Sequence, residues 1–480
     1  MRLRSGACRL RAPQSPSCRR GQSCAAVGGM LHCHGDCGPT WAQIHVGALV
    51  DVGISASDDQ LCRQGKYCRL IVPAPTSALR ALSHRSFLLF FIGVSIATTG
   101  QFMQSLAVPF YMNEVTDSNA WVGASAFAVL IPSLFMTPVA GIWSDRISRK
   151  AILFGSFFTQ LACSVAFLVL YTSDLLTPWL ILGLQVVVGV ASGFQWAPTQ
   201  AMTAQLVPPE DLLPAVRFVS LSFTAGRALG PALAGLTLLY WGPGPAFAVT
   251  IVGFVLGLAF MAPIRLRYTE PVEQEPFLLQ FRHGLEYVRR RPAMRLAMVT
   301  SFVVACVGAV FAFALVASVA DDVVSFGDAS LGWLTATFGF GSLVVGLYVT
   351  RHGDRHLRSR VEMAAVGVYA VGVLLVGFSP WVAIGLLGYF VFGAAHMAHG
   401  VTMNSALQVQ VDEQYRGRVM SVWLMSVLSG LPIGSLIGGF LGDLVSMRFV
   451  LLLYGGLLAV FWAITVVRSN GFASLDLGSN

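Results

Sequence analysis

The chain has 480 residues, 55% hydrophobic and only 11% charged, with a formal net charge of +8 and a mean hydropathy of +0.69. A soluble domain carries about 25% charged residues, so a water-solvated globule is excluded and most of this chain is built for lipid. The excess of bases is not a nucleic-acid signal, because the bases collect in loops on one side of the apolar segments.

Residues 1–78 differ from all that follows. Cys8, Cys18, Cys24, Cys33, Cys37, Cys62 and Cys68 lie here, out of nine cysteines in the chain. No apolar run reaches spanning length, and no hydrophobic stretch follows the basic start as a secretory signal would require. His32-Cys33-His34 with Cys37 matches no standard zinc-finger spacing, so no metal site is assigned. The segment reads either as a disordered cytoplasmic tail or as translation from a start upstream of the true one. It is set apart from the fold.

Beyond it, several apolar runs exceed the ~18 residues that mark a membrane span. Lipid offers no partner to backbone polar groups, so only helices and closed barrels cross it. Barrel strands alternate in hydrophobicity, whereas these runs are continuous, which selects helices. Spans one to six are predicted at Phe87–Tyr111, Ala120–Trp143, Ala151–Tyr171, Pro178–Leu206, Leu213–Trp241 and Ala246–Ile264. The polar stretch Arg265–Arg295 then interrupts the pattern. Its amphipathic run Phe277–Val288, followed by Arg289-Arg290-Arg291, predicts a helix lying on the membrane surface. Spans seven to twelve follow at Leu296–Val319, Ala329–Thr350, Val361–Phe378, Trp381–Val409, Val419–Leu441 and Phe449–Val467, with a tail over 468–480.

The loops after the even-numbered spans hold almost all the bases, among them Arg146, Arg149, Lys150, Arg355, Arg358, Arg360 and Arg416. The opposite loops carry Glu114, Asp117, Asp174, Asp321, Asp322, Asp328 and Asp443, with Arg448 as their base. The positive-inside rule therefore places both termini in the cytoplasm. The loop acids of the other side read as solvated.

The chain also repeats itself. Gly141 to Lys150, with Asp145, Arg146 and Arg149, returns as Gly346 to Arg360, with Asp354, Arg355 and Arg358. Val207-Pro-Pro-Glu210 before Arg217 matches Val411-Asp-Glu413 before Arg418, and Pro231 matches Pro432. The reading is an all-α membrane protein of twelve transmembrane helices in two pseudo-symmetric six-helix bundles, residues 79–264 and 296–467, joined by a cytoplasmic linker over 265–295.

Gly141-x-x-x-Asp145-Arg146-x-x-Arg149-Lys150 resembles the signature loop between the second and third helices of the major facilitator superfamily. Gly226-x-x-x-Gly230-Pro231-x-x-x-Gly235 resembles that superfamily's antiporter motif on the fifth helix. With Ala197-Pro198, Leu206-Val207-Pro208 and Arg416-Gly417-Arg418, the chain is similar to the bacterial branch of enterobactin exporters and macrolide-efflux-like proteins. The resemblance implies the major facilitator fold, a bacterial inner-membrane location and secondary transport by alternating access. One departure stands out: Gln185 lies where many proton-driven exporters carry an arginine in the fourth helix.

Candidate sites follow from charge and small size at depth. Gly141, Asp145, Arg146, Arg149 and Lys150, with Asp354, Arg355 and Arg358, are expected to gate the cytoplasmic side. There Gly141 would admit a neighbouring helix, and Asp145 would accept from a helix N-terminus. Gly226, Gly230, Pro231 and Gly235 are expected at a close helix contact with a bend. Arg227, midway along span five, needs a cavity or a partner. Gln101 and Gln104, on one face of span one with Thr98 and Ser105, are candidate cavity wall. His396, His399 and Asn404 of span ten complete the set, and the histidines are candidates for proton coupling.

No phosphate-binding Gly-x-x-x-x-Gly-Lys loop, Gly-x-Ser-x-Gly or His-Glu-x-x-His is present, so neither an ATP-driven pump nor an enzyme is expected, and no cofactor or metal is assigned. The expected partners are the bilayer, a small molecule and protons, for a monomer. The expected function is proton-driven export of small amphipathic compounds of drug or siderophore type; import of a small solute, or a receptor of the same fold without transport, stays open as an alternative. The substrate is not legible in the residues.

Overall fold

The computed structural model describes residues 23–27, 30–34, 41–43, 80–264, 277–327, 330–352, 358–412 and 415–467. The chain forms two units, Met1–Ser77 and Ala78–Asn480. In the first, β1 (Ser23–Val27), β2 (Met30–His34) and β3 (Trp41–Gln43) form an antiparallel sheet in the order β1-β2-β3. Val27 pairs with Met30, and the two residues between them in sequence are both glycine, the type tight hairpins favour.

The regular elements of the second unit are all helices among its described residues. The first half contains α1 (Arg85–Thr116), α2 (Asn119–Arg146), α3 (Arg149–Thr172), α4 (Pro178–Gly193), α5 (Trp196–Leu206), α6 (Leu212–Trp241) and α7 (Pro243–Met261). The linker helix is α8 (Phe277–Arg290). The second half contains α9 (Pro292–Val304), a π-helical segment (Ala305–Ala309), α10 (Val310–Phe313), α11 (Val316–Asp322), α12 (Ser330–His352), α13 (Arg358–Gly377), α14 (Val382–Gln410), α15 (Arg416–Leu444) and α16 (Met447–Val467).

Among the described residues, eleven spans are long and apolar enough to cross a membrane, with α4 and α5 together making one of them. Helix α6, 30 residues long with Arg227 near its middle, lies between the fourth and fifth of these spans and packs along α1. At 1.5 Å per residue it is about 45 Å long, enough for a hydrocarbon core of about 30 Å.

Local chemistry sets the helix ends. Asp117 closes α1 in the left-handed region (φ 48°) and returns its N–H to the Asn113 carbonyl. Ser118 then caps α2 by accepting from the Trp121 N–H. Gly242 (φ 78°) turns the chain between α6 and α7, where a side chain would be strained.

Two predicted spans are not continuous. Span four breaks at Phe194–Gln195. Span seven changes to π-helix over Ala305–Ala309 and breaks again before α11. Here Gly308 faces the Tyr369 ring and Gly434 faces the Cys306 carbonyl, both closer than a Cβ allows, so the backbone adapts to its neighbours. Helix α8 packs against the second half. Tyr287 and Val288 are buried in a cluster with Met403 and Val419, and Gly284 packs on the Arg418 backbone.

The repeat has a structural counterpart. Asp211, just before α6, contacts His84 at 2.9 Å and Arg80 at 3.6 Å, immediately before α1. Asp412, between α14 and α15, contacts Arg291 and Tyr287 at 3.1 Å, immediately before α9. In each half, an acid preceding the fifth span ties down the residues that lead into the first.

Candidate functional site

The two halves meet tightly at the end that carries the acidic loops. A Cβ on Gly123 of α2 would lie 2.2 Å from the Ser435 carbonyl oxygen of α15, and one on Gly439 would lie 2.3 Å from the Asn119 carbonyl oxygen. Five hydrogen bonds cross between the halves here. Asp443 accepts from the Ser118 hydroxyl, from the Asn119 N–H at 2.5 Å and from the Ala120 N–H at 3.1 Å. A carboxylate at these first N–H groups of α2 faces the positive end of the helix dipole. Asn119 donates to Asp322 at 2.8 Å, and Asn113 to Asp321 at 3.0 Å. These acids are exposed, yet they work as cross-half acceptors rather than as merely solvated loop charges.

The basic end differs. The side chains of Asp145 and Arg146, and the residues Asp354 and Arg355, lie outside what the structure describes. Around Gly141 there is open space: a Cβ added there would meet nothing within 4 Å, so the expected close helix approach is absent in this conformation. Arg149 and Arg358 stand at the first turns of α3 and α13, both half-buried. Lys150 donates to the Ala262 and Ile264 carbonyls at 2.6 and 2.8 Å, capping the end of α7 within its own half.

Between the two ends lies Arg227. Its guanidinium carbon is 5.6 Å from the Phe102 ring centroid on α1 and 5.2 Å from the Phe313 ring centroid on α10. The rings come from opposite halves, so Arg227 is at the interface and not on the lipid face. Its side chain keeps accessible surface although it is surrounded by protein at depth. The two aromatic faces help to make a charge tolerable at this depth.

The small residues beside it set the helix spacing. A Cβ on Gly230 would lie 2.6 Å from Phe102 Cβ, and one on Gly226 would lie 3.0 Å from Thr98, so both press α6 onto α1. A Cβ on Gly235 would lie 2.7 Å from Gly332 on α12, across the halves. Pro231 lies inside α6.

Two cavity candidates are misplaced by the sequence. Gln104 is buried at 5% exposure and accepts from the Ser164 hydroxyl of α3 at 2.5 Å, inside its own half. The face of α1 defined by Thr98, Gln101, Gln104 and Ser105 spans about a third of the helix, so its edge turns into the bundle. Gln101 is half-buried and Ser105 exposed. His399 is likewise interior, with Nδ1 2.6 Å from Glu362 Oε1, and Glu362 itself is wholly buried. His396 is half-buried and meets Phe313 (5.4 Å between centroids) and the Tyr369 hydroxyl (3.2 Å). Asn404 is half-buried and accepts from Gln408.

Glu362 was not among the sequence candidates, because it sits one turn inside a basic loop and reads as a boundary residue. An acid within an apolar helix was the available signal.

The profile of the transmembrane secretion effector family matches residues 76–479. The chain belongs to this family of the major facilitator superfamily. The transporter is 21% identical to macrolide efflux protein A of Streptococcus pyogenes over 408 residues, covering 82% of this chain and 97% of that protein. It is 24% identical to the enterobactin exporter of Salmonella paratyphi A over 388 residues, covering 76% and 87%. Its fold resembles the crystal structure of a bacterial homologue of the human lysosomal transporter Spinster in an inward-facing, unoccupied conformation, with a TM-score of 0.65, 14% identity, and 83% and 99% coverage. The transporter is thus a multi-pass membrane protein with efflux proteins among its relatives.

Proposed function

We propose that this transporter exports small amphipathic compounds, neutral or anionic, in exchange for protons that enter down their gradient, by alternating access. The observation that carries this reading is Arg227, a lone charge held between aromatic rings of both halves and keeping accessible surface. Such a group attracts an anion, and the rings beside it offer apolar and stacking surface. Two relatives are named for the efflux of a macrolide and the export of enterobactin, which supports the export direction.

In this reading the basic end faces the cytoplasm of a bacterial inner membrane, with both termini inside, and the chain acts as a monomer. The acidic end is then the outer gate, closed here by the Asp443 cap. The loop Gly141–Lys150, with Asp354, Arg355 and Arg358, is the inner gate that closes in the opposite state. The rigid halves rock about the interface that Arg227 occupies.

Transport into inside-out vesicles tests this. Vesicles holding the transporter should accumulate enterobactin or erythromycin when a pH gradient is imposed and lose that accumulation when a protonophore collapses it. Uptake equal to that of empty vesicles for both compounds overturns the exporter reading for these classes.

A further inference from the structure

We propose that the buried pair Glu362–His399, on α13 and α14, is the proton-binding site of this transporter; this deepens the proton-driven reading above and rests on it. Glu362 is 0% exposed and His399 5%, and Glu362 Oε1 lies 2.6 Å from His399 Nδ1. Glu362 Oε2 is also buried and, among the described residues, has no hydrogen-bond partner. A permanently ionised carboxylate in an apolar interior needs donors on both oxygens, because each unfilled lone pair of an anion is costly. A carboxyl that carries its proton on Oε1 and donates it to Nδ1 leaves Oε2 as an ordinary carbonyl, which bears isolation far better. The geometry is therefore that of a site holding one proton between two heteroatoms.

The proton balance is simple. With the proton present, the pair has no net charge. When the proton leaves for solvent, the pair carries one negative charge in a low-dielectric surrounding, a state that a rearrangement of α13 and α14 must accommodate. In the export cycle the proton arrives from the outer side and departs to the cytoplasm, as Glu362 lies one turn from the basic end of α13.

The pair also connects to the site of the cargo. His396 lies one turn from His399 on α14, bonds to Tyr369 of α13, and shares the Phe313 ring with Arg227. Helix α13 also carries Arg358, Arg360 and Tyr369, α14 carries Tyr389 and His396, and of the elements packed against them the π segment carries Cys306, α9 Arg295, and α15 Arg416 and Arg418. From α12 there is Tyr348. From α16 there are Tyr454 and, at the far end, Arg448, whose guanidinium bonds the Ser379 and Val323 carbonyls. Glu362 is the carboxylate among them.

Infrared titration of the purified full chain in lipid nanodiscs tests the proposal without any substrate. The wild type is expected to show the C=O stretch of a protonated carboxylic acid that disappears as pH is raised. Glu362→Gln should lose that band, and His399→Asn, which keeps the carboxyl but changes its partner, should shift the pH at which it vanishes. A band that persists in Glu362→Gln, or a Glu362 band unmoved by pH and by His399→Asn, overturns the proton site. No cargo enters this measurement, so its failure is separate from a failure of vesicle uptake. If Glu362→Gln is not monodisperse, the shift in His399→Asn decides the outcome.

Discussion

Asp443 on α15 caps the first turn of α2, taking the Asn119 N–H at 2.5 Å and the Ala120 N–H at 3.1 Å across the boundary between the halves. The carboxylate acts on a helix terminus rather than on a base, so the contact joins hydrogen bonding with the helix dipole. It is the principal polar lock of the closed acidic end.

Removing its charge should loosen that lock. Asp443→Asn keeps one acceptor oxygen but loses the anion. Given its exposure, the expected cost to the closed state is about 1–2 kcal/mol, roughly a five- to thirty-fold change in the open-to-closed ratio. Spin labels at Ser173 and Ser446 should report longer distances across the acidic end. An unchanged distribution would show that Gly123 and Gly439 packing alone holds it shut.

The glycine contacts separate state from fold. Gly123→Ala puts a methyl 2.2 Å from the Ser435 oxygen of the other half, so it should disfavour the closed acidic end with little loss of thermal stability. Gly434→Ala puts one 1.9 Å from the Cys306 oxygen within the same half, so it should lower stability by about 1–3 kcal/mol. Melting curves of the two variants are expected to differ in that order. Gly141→Ala meets nothing within 4 Å and should leave this conformation intact.

Closure of the acidic end should respond to pH. Although its side chain keeps exposed surface, partial burial raises the Asp322 carboxyl above its ordinary range; the hydrogen bond from Asn119 opposes this, and Asp321, Asp117 and Asp443 add to the rise. A raised value in the closed state means that closure binds a proton. Its contribution is complete below the ordinary carboxylate range and is lost as pH rises through the elevated one. Label distances across the acidic end should therefore shorten on acidification in the wild type. Asp322→Asn should flatten that response, and a full response in this variant would assign it elsewhere.

Lys150 is expected to matter for stability as well as for gating. It donates to the Ala262 and Ile264 carbonyls just past the C-terminus of α7, where a cation is favoured. Lys150→Met should cost about 1–2 kcal/mol, discounted from the range for charged hydrogen bonds because the site is half-buried. Thermal unfolding in detergent measures this, and Lys150→Arg should recover part of it.

Arg227→Lys keeps the charge and loses the planar group between Phe102 and Phe313. At about 0.5–2 kcal/mol for each cation–π contact, a several-fold to tenfold loss of uptake is expected in the vesicle assay, with Arg227→Ala losing more. Equal uptake by the lysine variant would assign charge alone to the site.

The sequence alone determined the helical class, the boundaries of most spans, the charge asymmetry of the loops and the duplication. These are properties of hydropathy and local spacing, which lipid enforces segment by segment. It also pointed to Arg227, because a charge in mid-span is conspicuous without any partner. Only the tertiary structure decided which polar groups face the interface and which face the bundle. Gln104 and His399 turned inward, toward Ser164 and Glu362, because a helical face of about 120° cannot by spacing alone distinguish a cavity from a neighbouring helix. The same holds for Asp443 and Glu362. One resembled a loop acid and the other a boundary acid until distant segments brought each its partner, Asn119 from the other half and His399 from the adjacent helix.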